Sequence, residues 1–555
     1  MRPIEKNDGS WYNLVMAKGG VPEPIDLTQP SERERVGNIL AAIRDLSPDE
    51  RDLMPILRQY PRPGGTYAKS QLLGAYRQLV DEGVLDRDLA LERRLRGRPV
   101  RTISGVAPVA VLTKPYPCPG ECLFCPDQAG APKSYLDGEP GVLRALQQDY
   151  DPYDQTHVRI TALHDIGHPT DKIELLILGG TWSAYPEAYR EHFLRRCFDA
   201  LNADAPASTL AEALLRNETA PHRNVGLVIE TRPDWITPAE VARLRHEGVT
   251  KVQVGAQSFD DRLLRLNRRG HTLEDTRRAL RLLRLAGFKV VLHWMPNLYG
   301  ATPESDLADF ERLWRDPALR PDEMKIYPTA LLEETDLHMR WQAGEYAPYL
   351  EETLIELLIA CKQMVPPYCR LNRVMRDIPA PYIVAGTTKS NLRQIVQQRM
   401  EKAGLACQCI RCREIRGQRH ADLDAVTLEN VCYETDATTE HFLQYVTPTG
   451  LLAGFLRLSL PTSPRDDLPL PDIRTAAMVR EVHVYGPAQT LGRRGGGAQH
   501  QGFGSQLLEH AAQLAKDAGF DELAVIAAVG TRPYYRERGF TEGALYPVRR
   551  LRRKR

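Results

Sequence analysis

Three cysteines in one short stretch have the spacing to hold a metal. Cys118, Cys122 and Cys125 are separated by three and by two residues, and they follow directly on an apolar run at residues 106–112. A structural zinc ion takes four ligands, and an iron–sulfur cluster held by four cysteines has no free iron. Three cysteines leave one iron of a [4Fe–4S] cluster open to a second molecule. We therefore expect such a cluster here; the alternative is a zinc knuckle that takes a distant fourth ligand.

A second cysteine group lies far along the chain. Cys407, Cys409 and Cys412 are separated by one and by two residues, a tighter first gap than zinc sites usually have. We expect a structural zinc ion that staples this segment, with His420 or Cys432 as the fourth ligand. The alternative is a set of thiols that bind no metal.

The composition is that of a globular protein without a membrane segment. The chain has 555 residues, of which 42% are hydrophobic and 26% charged, and its formal net charge is +1. This length predicts two or three domains. No run approaches the roughly 20 apolar residues of a membrane span, and the cysteine groups indicate metal chemistry in a reducing compartment. We expect a cytoplasmic protein.

Basic residues are concentrated in two segments. Because the net charge is close to zero, a nucleic-acid partner would have to be held by such a local patch. The chain ends in a basic tail at residues 549–555, and eight arginines crowd a short region: Arg262, Arg265, Arg268, Arg269, Arg277, Arg278, Arg281 and Arg284. A solvated helix face and a tail without function are the alternative.

Apolar runs that alternate with helical segments must position the first cysteine group. The runs cover residues 106–112, 173–178, 225–230, 251–255, 289–294 and 323–327. This pattern is typical of βα units around a parallel sheet, and six units predict a partial (βα)6 barrel. The reactive groups of such a barrel lie at the carboxyl ends of its strands, which is where the cysteines fall. Helices are predicted ahead of the barrel, at residues 31–46 and 69–81.

Beyond residue 426 the pattern becomes that of an antiparallel sheet. Strands are predicted at residues 450–458, 476–485 and 523–528, and a glycine-containing loop at 499–505 opens an amphipathic helix. Backbone N–H groups at the start of such a helix point outward and bind phosphate, assisted by the helix dipole. We expect a phosphate-bearing cofactor at this loop.

Both cofactor signals resemble known families. The cysteine loop, with Phe124 before its last cysteine, resembles that of the radical S-adenosylmethionine (SAM) enzymes, and residues 499–518 resemble the acetyl-CoA cradle of the GNAT acyltransferases. Over nearly its whole length the chain resembles a family that joins the two, that of the catalytic subunit of Elongator and its stand-alone prokaryotic relatives. The resemblance is carried by residues 118–126, 150–153, 167–172, 229–234, 267–272, 325–328, 376–379, 482–486 and 499–504.

The resemblance implies an α/β fold, with a partial (βα)6 radical SAM barrel followed by a GNAT-type α/β acetyltransferase domain and preceded by a small helical segment. The implied domains are a tRNA-contacting helical segment at residues 1–75, the barrel at 76–395, a cysteine-rich zinc linker at 396–425 and the acetyltransferase domain at 426–555.

The resemblance also implies an activity. The wobble uridine of tRNA, U34, would become 5-carboxymethyluridine at the expense of SAM and acetyl-CoA. A 5′-deoxyadenosyl radical would remove a hydrogen atom from the acetyl methyl group, the carbon radical would add to C5 of the uridine, and hydrolysis of the thioester would release CoA. The anticodon stem-loop would be held by the arginine region and the N-terminal segment. A monomer or homodimer without obligatory protein subunits is expected.

On the radical side, the resemblance assigns five residues. Cys118, Cys122 and Cys125 would hold the [4Fe–4S] cluster, and Gly179 and Gly180 would let the backbone approach the methionine part of SAM. A simple turn between strand and helix is the alternative for the two glycines.

On the acyl side, the resemblance implies that His483 orients the hydrolytic water. It also implies that Tyr535, with Tyr534 beside it, protonates the departing CoA thiolate. Lys172 would contact acetyl-CoA near the radical SAM domain. A surface lysine and ordinary core packing are the alternatives for these four catalytic candidates. The residues expected to bind acetyl-CoA are Lys172, Glu481, Val482, His483, Val484, Gln501, Gly502, Phe503, Gly504, Ser505 and Tyr535.

Two other functions are compatible with these motifs. A protein lysine acetyltransferase with a structural iron–sulfur cluster would transfer acetyl from its carbonyl carbon and consume no SAM. A tRNA-binding scaffold that only senses acetyl-CoA would need no open iron. Formation of a new C–C bond from the acetyl methyl carbon separates the expected activity from both.

Overall fold

The computed structural model describes residues 23–47, 50, 52–62, 65–97, 102, 104–415, 425–485 and 502–551. The chain divides into two compact units. The first contains the residues up to Thr102 together with Arg159–Thr170, and the second contains Ile103–Val158 and the chain from Asp171 onward.

The first unit is built mainly of helices, namely α1 (Pro30–Arg44), α2 (Met54–Leu57), α3 (Lys69–Asp81) and α4 (Leu89–Leu95). In α1 the buried residues Val36, Ile39, Leu40 and Ile43 recur with the helical period. Helix α4 begins after Asp88, whose Oδ1 accepts hydrogen bonds from the N–H groups of the second and third helical residues at 2.8 and 3.2 Å. The predicted helical N-terminal segment is confirmed.

A parallel sheet forms the first part of the second unit. Its seven strands follow one another in chain order, so that β1 and β8 are the two edges of an open half-barrel. The strands are β1 (Ala107–Leu112), β2 (Lys172–Leu178), β3 (Arg223–Thr231), β4 (Lys251–Gln257), β5 (Lys289–Trp294), β6 (Glu323–Ile326) and β8 (Arg370–Arg373), while β7 (Leu331–Leu332) and β9 (Ile383–Ala385) form a separate pair. The predicted partial barrel is confirmed.

Strand β8 is a seventh strand that the sequence pattern did not predict. Its four residues are Arg-Leu-Asn-Arg, and only Leu371 is buried. Arg370 donates to Glu414 at 2.8 Å and Asn372 donates to Glu323 at 2.6 Å. A search for apolar runs cannot find a strand whose side chains join a polar network.

Helices connect the strands and fix their carboxyl ends at one edge. Four of them begin with threonine caps: the Oγ1 atoms of Thr209, Thr237, Thr272 and Thr302 each accept a backbone N–H at 3.2 Å. The helices of this region are α5 (Pro140–Leu146), α6 (Pro152–Asp165), α7 (Glu187–Asn202), α8 (Leu210–Arg216), α9 (Pro238–His246), α10 (Asp261–Leu266), α11 (Leu273–Leu285), α12 (Pro303–Arg315), α13 (Asp336–Gln342), α14 (Glu351–Met364), α15 (Leu392–Lys402) and α16 (Ile410–Arg413).

A second sheet of seven strands completes the unit, in the order β10, β11, β12, β13, β14, β16, β15. Its strands are β10 (Thr427–Glu434), β11 (Thr438–Val446), β12 (Leu452–Pro461), β13 (Ala477–Val484), β14 (Glu522–Val525), β15 (Thr541–Glu542) and β16 (Pro547–Arg550), with helices α17 (Phe503–Asp517) and α18 (Arg532–Arg536). The apolar face of α17, including Leu507, Leu508 and Ala511, packs into the core of this sheet. The predicted second α/β domain is confirmed.

Strands β13 and β14 separate part-way along their length. They pair in parallel only from Ala477 with Leu523 to Val479 with Val525. Beyond this point β13 continues to Val484 and pairs with β12 alone. In the described part of the chain, residues 480–483 of β13 therefore do not pair with β14.

A buried ion network joins the two sheets of the second unit. Asp322, which precedes β6, accepts two hydrogen bonds from Arg480 of β13 at 2.6 and 2.7 Å. Arg480 also contacts Glu440 at 2.7 Å, and Arg457 contacts Glu481 at 2.9 Å. All five side chains are less than 10% exposed.

No helix in the described ranges is long and apolar enough to cross a membrane.

Candidate active site

The first cysteine group lies in the loop after β1, at the carboxyl end of the parallel sheet. All three thiols are partly exposed. The loop is folded by its own hydrogen bonds, from Cys125 N–H to the carbonyl of Cys122 at 3.1 Å and from Gly120 N–H to Cys118 Sγ at 3.4 Å. Leu123 N–H also donates to the carbonyl of Asn267 at 3.3 Å, which ties the loop to the segment after β4.

Two arginines lie behind this loop. Arg269 Nη1 donates to Cys122 Sγ at 2.9 Å, and its Nη2 donates to the carbonyl of Gly255 at 2.6 Å. Arg232 contacts Asp234 and donates to the carbonyl of Arg269 at 2.6 Å. Both arginines are 6% exposed. The sequence placed Arg269 among the surface arginines and gave Arg232 no role; an arginine directly after the end of a strand was the only available signal.

The donor set fits an iron–sulfur cluster. Burial, together with the neighbouring Cys122 and Cys118, raises the pKa of the Cys125 thiol to about 12, so iron must displace its proton. In the described part of the chain, three metal-ligand atoms lie within 4.8 Å of one another only at Cys407, Cys409 and Cys412, and not at the first cysteine group. The sulfurs of the first group are therefore wider apart than one tetrahedral ion requires, as expected for a multi-iron cluster, and Arg269 supplies the hydrogen bond to sulfur that such clusters use.

The glycine pair predicted to approach SAM lies beside the cysteine loop. Gly179 and Gly180 follow β2 with φ of 125° and 109°, conformations that favour glycine. A side chain at Gly179 would overlap Thr113 Oγ1, whereas one at Gly180 would come no closer than 3.7 Å to the carbonyl of Lys133. Thr181 Oγ1 lies 4.0 Å from Cys118 Sγ. The pair thus borders the space in front of the cysteines.

Polar side chains line the barrel interior below the cysteine loop. Glu230 accepts a hydrogen bond from Tyr135 at 3.0 Å and lies 3.5 Å from Lys325. His293 and Gln253 are in contact at 3.1 Å, and burial, with Lys325 nearby, holds the pKa of His293 well below its usual range. His293 is therefore neutral, and Lys325 is the cation paired with Glu230.

A cavity of about 260 Å³ lies where β13 and β14 separate. The amino ends of the barrel strands form one wall, and the second sheet forms the other. Its lining includes Lys289, Glu323, Arg370, Glu481, His483 and Tyr535. The structure therefore brings four of the predicted acyl-side residues to one cavity: Glu481, Val482, His483 and Tyr535.

His483 faces this cavity as a neutral imidazole. Its ring lies between Phe455 and Tyr485, with centroid distances of 5.8 and 4.4 Å, and its Nε2 atom is buried without a hydrogen-bond partner. Burial lowers the pKa of His483 to about 4. A neutral ring with a free nitrogen can accept a proton or orient a water molecule.

Tyr535 is 8% exposed, and burial raises its pKa, so its hydroxyl stays protonated near neutral pH. Tyr534 packs edge-on against it, with ring centroids 5.2 Å apart. Burial likewise raises the pKa of Tyr534. Both hydroxyls are therefore available as proton donors, but only Tyr535 is among the cavity residues.

The predicted phosphate site is the start of α17. Gly502 precedes the helix with φ of 75°, and Ser505 N–H bonds to its carbonyl at 3.0 Å. A side chain at Gly504 would meet the Tyr534 hydroxyl at 2.7 Å. Arg538 donates to Ser505 Oγ at 3.0 Å, which adds a cation that the sequence analysis missed. Gln501 lies outside the described residues.

Lys172 is half-buried at the amino end of β2. Gly179 and Gly180 follow the other end of this seven-residue strand, about 20 Å away at roughly 3.3 Å per residue. Two residues along from Lys172 on the same side of β2, Glu174 lines the cavity. Lys172 itself is not among the residues that line the cavity, and its position at the amino end of β2 places it away from the cysteine loop.

The second cysteine group is compact. The Sγ atoms of Cys407, Cys409 and Cys412 lie within 4.8 Å of one another, a spacing that suits one metal ion. The hydrogen bond from Cys407 holds the pKa of Cys409 well below its usual range. Cys432 is exposed on β10, and His420 lies outside the described residues.

The eight arginines at residues 262–284 do not form one continuous basic face. Arg269 and Arg284 are buried, and the expectation of a surface role is wrong for these two. Arg284 lies on the buried face of α11, whereas Arg269 lies in the segment between α10 and α11 and contacts the cysteine loop. Ion pairs join five others to acidic partners: Arg262 to Asp260, Arg268 to Asp336, Arg277 to Asp316, Arg278 to Asp275 and Arg281 to Asp436.

Sequence comparisons agree with this architecture. The radical SAM superfamily model matches residues 116–312, and the radical SAM C-terminal domain model matches residues 321–402. The tRNA uridine(34) acetyltransferases of Dehalococcoides mccartyi and Methanocaldococcus jannaschii are 44% and 42% identical, each over 81% of this chain and over 99% and 86% of their own lengths. Human Elongator complex protein 3 is 36% identical, over 82% of this chain and 86% of its own length.

The chain belongs to the Elongator complex protein 3 family. A solved structure of this family, the archaeal Elp3 of Methanocaldococcus infernus with an N-terminal deletion, superposes with a TM-score of 0.71 at 38% identity, over 81% of this chain and all of that one. The radical SAM match implies SAM and a [4Fe–4S] cluster as cofactors. Cys118, Cys122 and Cys125 lie inside the matched range.

Proposed function

We propose that this protein is a tRNA-modifying enzyme that converts U34 to 5-carboxymethyluridine with SAM and acetyl-CoA. The observation that carries the proposal is the presence, in one compact unit, of a three-cysteine loop at the carboxyl ends of the barrel strands and an acyl-sized cavity at their amino ends. Relatives at 41–44% identity carry the name tRNA uridine(34) acetyltransferase.

On the radical side, Cys118, Cys122 and Cys125 would ligate the cluster. When bound, the cluster supplies the electron that cleaves SAM. The protein's own contribution is to hold the loop through Asn267 and to keep the backbone at Gly179 and Gly180 open for the methionine part of SAM.

On the acyl side, the edge of β13 at residues 480–483, which does not pair with β14, is available to pair with the pantetheine arm of acetyl-CoA as an added strand would. The pyrophosphate would then lie at the start of α17, against residues 501–505, with Arg538 as its cation. Lys172 would contact the cofactor from the barrel side of the cavity.

Hydrolysis of the thioester would use the neutral ring of His483 and the hydroxyl of Tyr535. His483 Nε2 accepts a proton from the attacking water, and Tyr535 donates one to the CoA thiolate, assisted by Tyr534. The proton balance closes when the proton taken up by His483 passes through solvent to the Tyr535 oxygen, so that both side chains return to their starting states.

The remaining assignments concern partners and organisation. The tRNA anticodon stem-loop is the substrate, held by the first unit and by the arginines of residues 262–281 that remain exposed, so binding should weaken with added salt. We keep the proposed domains at residues 1–75, 76–395, 396–425 and 426–555, a cytoplasmic location, and a monomer or homodimer. Zinc bound by Cys407, Cys409 and Cys412 would take His420 or Cys432 as its fourth ligand.

The decisive experiment uses anaerobically reconstituted protein, SAM, tRNA and acetyl-CoA labelled in the methyl carbon, followed by mass spectrometry of the nucleosides. The expected product is labelled 5-carboxymethyluridine. Acetylated protein with unmodified uridine would instead support a lysine acetyltransferase, and no consumption of acetyl-CoA would support a sensing scaffold.

A cysteine variant tests whether the two sites are separate. Cys122→Ser should abolish carboxymethylation and leave CoA binding unchanged by calorimetry, because the phosphate site is built on α17 and has no contact with the cysteine loop among the hydrogen bonds described. Loss of both carboxymethylation and CoA binding would mean that the cysteine loop supports the fold.

A further inference from the structure

The two arginines behind the cysteine loop direct their N–H groups at the positions where a cluster would lie. Arg269 Nη1 already donates to Cys122 Sγ at 2.9 Å. Arg232 Nη1 is buried without a hydrogen-bond partner, and a side chain added at Gly120 would overlap it. Gly120 lies between Cys118 and Cys122, so this unused donor is held against the middle of the cysteine loop.

Neither arginine is free to move. The carbonyl of Gly255 accepts the second Nη of Arg269, and the carbonyl of Arg269 accepts Arg232 Nη2. Arg269 Nε is also buried without a partner. Two guanidinium groups that remain charged at every physiological pH are therefore held at the loop, that of Arg269 on Cys122 and that of Arg232 against Gly120, at the cost of removing both groups from water.

The neighbourhood adds little opposing charge. Asp234 pairs with Arg232 and partly offsets it at 3.0 Å. Burial, followed by the charges of Arg269 and Arg232, lowers the pKa of His271 to about 3, so this histidine is neutral and contributes no further cation. Arg269, which has no carboxylate partner among the ion pairs described, is the less compensated of the two.

We infer that Arg232 and Arg269 are positioning residues that raise the reduction potential of the cluster held by Cys118, Cys122 and Cys125. A cluster with three thiolates is an anion, and reduction adds one more negative charge to it. Hydrogen bonds to its sulfurs and nearby positive charge favour the reduced form, and both set the potential of iron–sulfur clusters. The inference rests on the proposed cluster ligands.

The test is a redox titration of the reconstituted holoprotein, followed by the electron paramagnetic resonance of the reduced cluster. At a fixed potential, Arg269→Met should lower the ratio of reduced to oxidised cluster at least tenfold, equivalent to about 59 mV for a one-electron couple. Arg232→Met should shift it in the same direction by less, because Asp234 already offsets part of its charge. Arg269→Lys keeps the charge and loses the planar guanidinium. Its ratio of reduced to oxidised cluster should lie between those of Arg269→Met and the unmodified protein.

Arg315→Met is the matched control. Arg315 is exposed on α12 and pairs with Glu311 at 2.6 Å, so its loss should leave the potential unchanged. Full iron and sulfide content with an unshifted potential in Arg269→Met would overturn the inference. So would an Arg269→Met protein that holds no iron, if Arg269→Lys and Arg232→Met load fully at the potential of the unmodified protein. Absence of a four-iron cluster in the unmodified protein would instead overturn the proposed function.

Discussion

At the scale of single residues, burial decides which groups can do chemistry. His483 and His293 are both kept neutral by burial, but only His483 has a buried ring nitrogen that is free and a cavity beside it. A protonated ring in that position could not accept a proton from water. The low pKa is thus a condition for the role proposed for His483.

A pH profile follows from the pKa of about 4 for His483. The ring is neutral above that value, so CoA release in the presence of tRNA should show no inflection from this group between about pH 5.5 and 8, where an ordinary histidine titrates. His483→Ala should slow the release by roughly 10²-fold or more. The measurement is thiol release followed against pH.

The control for this profile is His510→Ala. His510 is exposed on α17, away from the cavity residues, and its loss should leave the rate unchanged. An inflection near the ordinary histidine pKa that disappears in His483→Ala would show that the ring is protonated near neutral pH and that the assignment is incorrect.

At the same scale, the sequence predicted residue types better than residue environments. The cysteine loop is predicted from local spacing, whereas the glycine pair and the tyrosine pair are predicted only through the family resemblance. Arg269 and Arg538 were missed, because an arginine reads as a surface cation until the fold shows that it lies against Cys122 or Ser505.

At the scale of elements, the start of α17 and the residues just after α18 are in contact where the anion site is proposed. Arg538, two residues beyond α18, contacts Ser505, and its guanidinium carbon lies 3.6 Å from the ring centroid of Tyr534. Glycine at position 504 keeps the helix start open to Tyr534. The backbone N–H groups and the cation therefore point to the same place.

Removal of this cation should weaken CoA binding. A hydrogen bond to a charged group contributes about 1.5–3 kcal/mol, so Arg538→Met should raise the Kd for CoA by roughly 10- to 100-fold in calorimetry. Arg474→Met, at an exposed arginine that pairs with Asp466, is the control and should bind normally. Equal affinities in both variants would exclude Arg538 from the phosphate site.

Element prediction succeeded where periodicity was strong and failed where polar side chains were turned inward. Six strands of the barrel are apolar runs, whereas β8 consists of Arg-Leu-Asn-Arg because it faces the charged interior and the second cysteine group. The splay of β13 and β14 could not be predicted either. It depends on which residues of two distant strands stop pairing, and no local signal records that.

At the scale of the whole molecule, the buried ions around Asp322 tie the two sheets together. Burial alone would raise the pKa of Asp322, but Arg480 and Arg457 hold it well below its usual range. A carboxylate of this kind stabilises the folded protein above the pKa it has when unfolded, about 3.9, and the contribution is lost as the pH falls toward the folded value. Its contribution is therefore constant between about pH 5 and 8.

Neutralising this aspartate should separate the two sheets. Asp322→Asn removes a carboxylate that pairs with the buried Arg480 and Arg457. The loss of one partner from a buried ion network lowers the free energy of unfolding by about 3–5 kcal/mol. We expect a lower melting temperature at every pH from about 5 to 8, and two thermal transitions in calorimetry where the unmodified second unit gives one.

The exposed pair Arg340 and Glu345 provides the comparison, because Glu345→Gln should leave the melting temperature within the error of the measurement. A variant Asp322→Asn that melts in one transition at the temperature of the unmodified protein would show that the network does not hold the sheets together.

The charged residues at the amino ends of the barrel strands also determine whether the chain can be divided into separate fragments. Lys289 contacts Glu481, and Arg457 and Arg480 contact Asp322, so the amino ends of the barrel strands are neutralised by residues encoded more than a hundred codons later. A barrel expressed alone would expose unpaired lysine and glutamate in an otherwise apolar surface, and an isolated C-terminal sheet would keep buried arginines without acids. The two catalytic halves are therefore not interchangeable modules, and truncation at the linker should give insoluble fragments from either side.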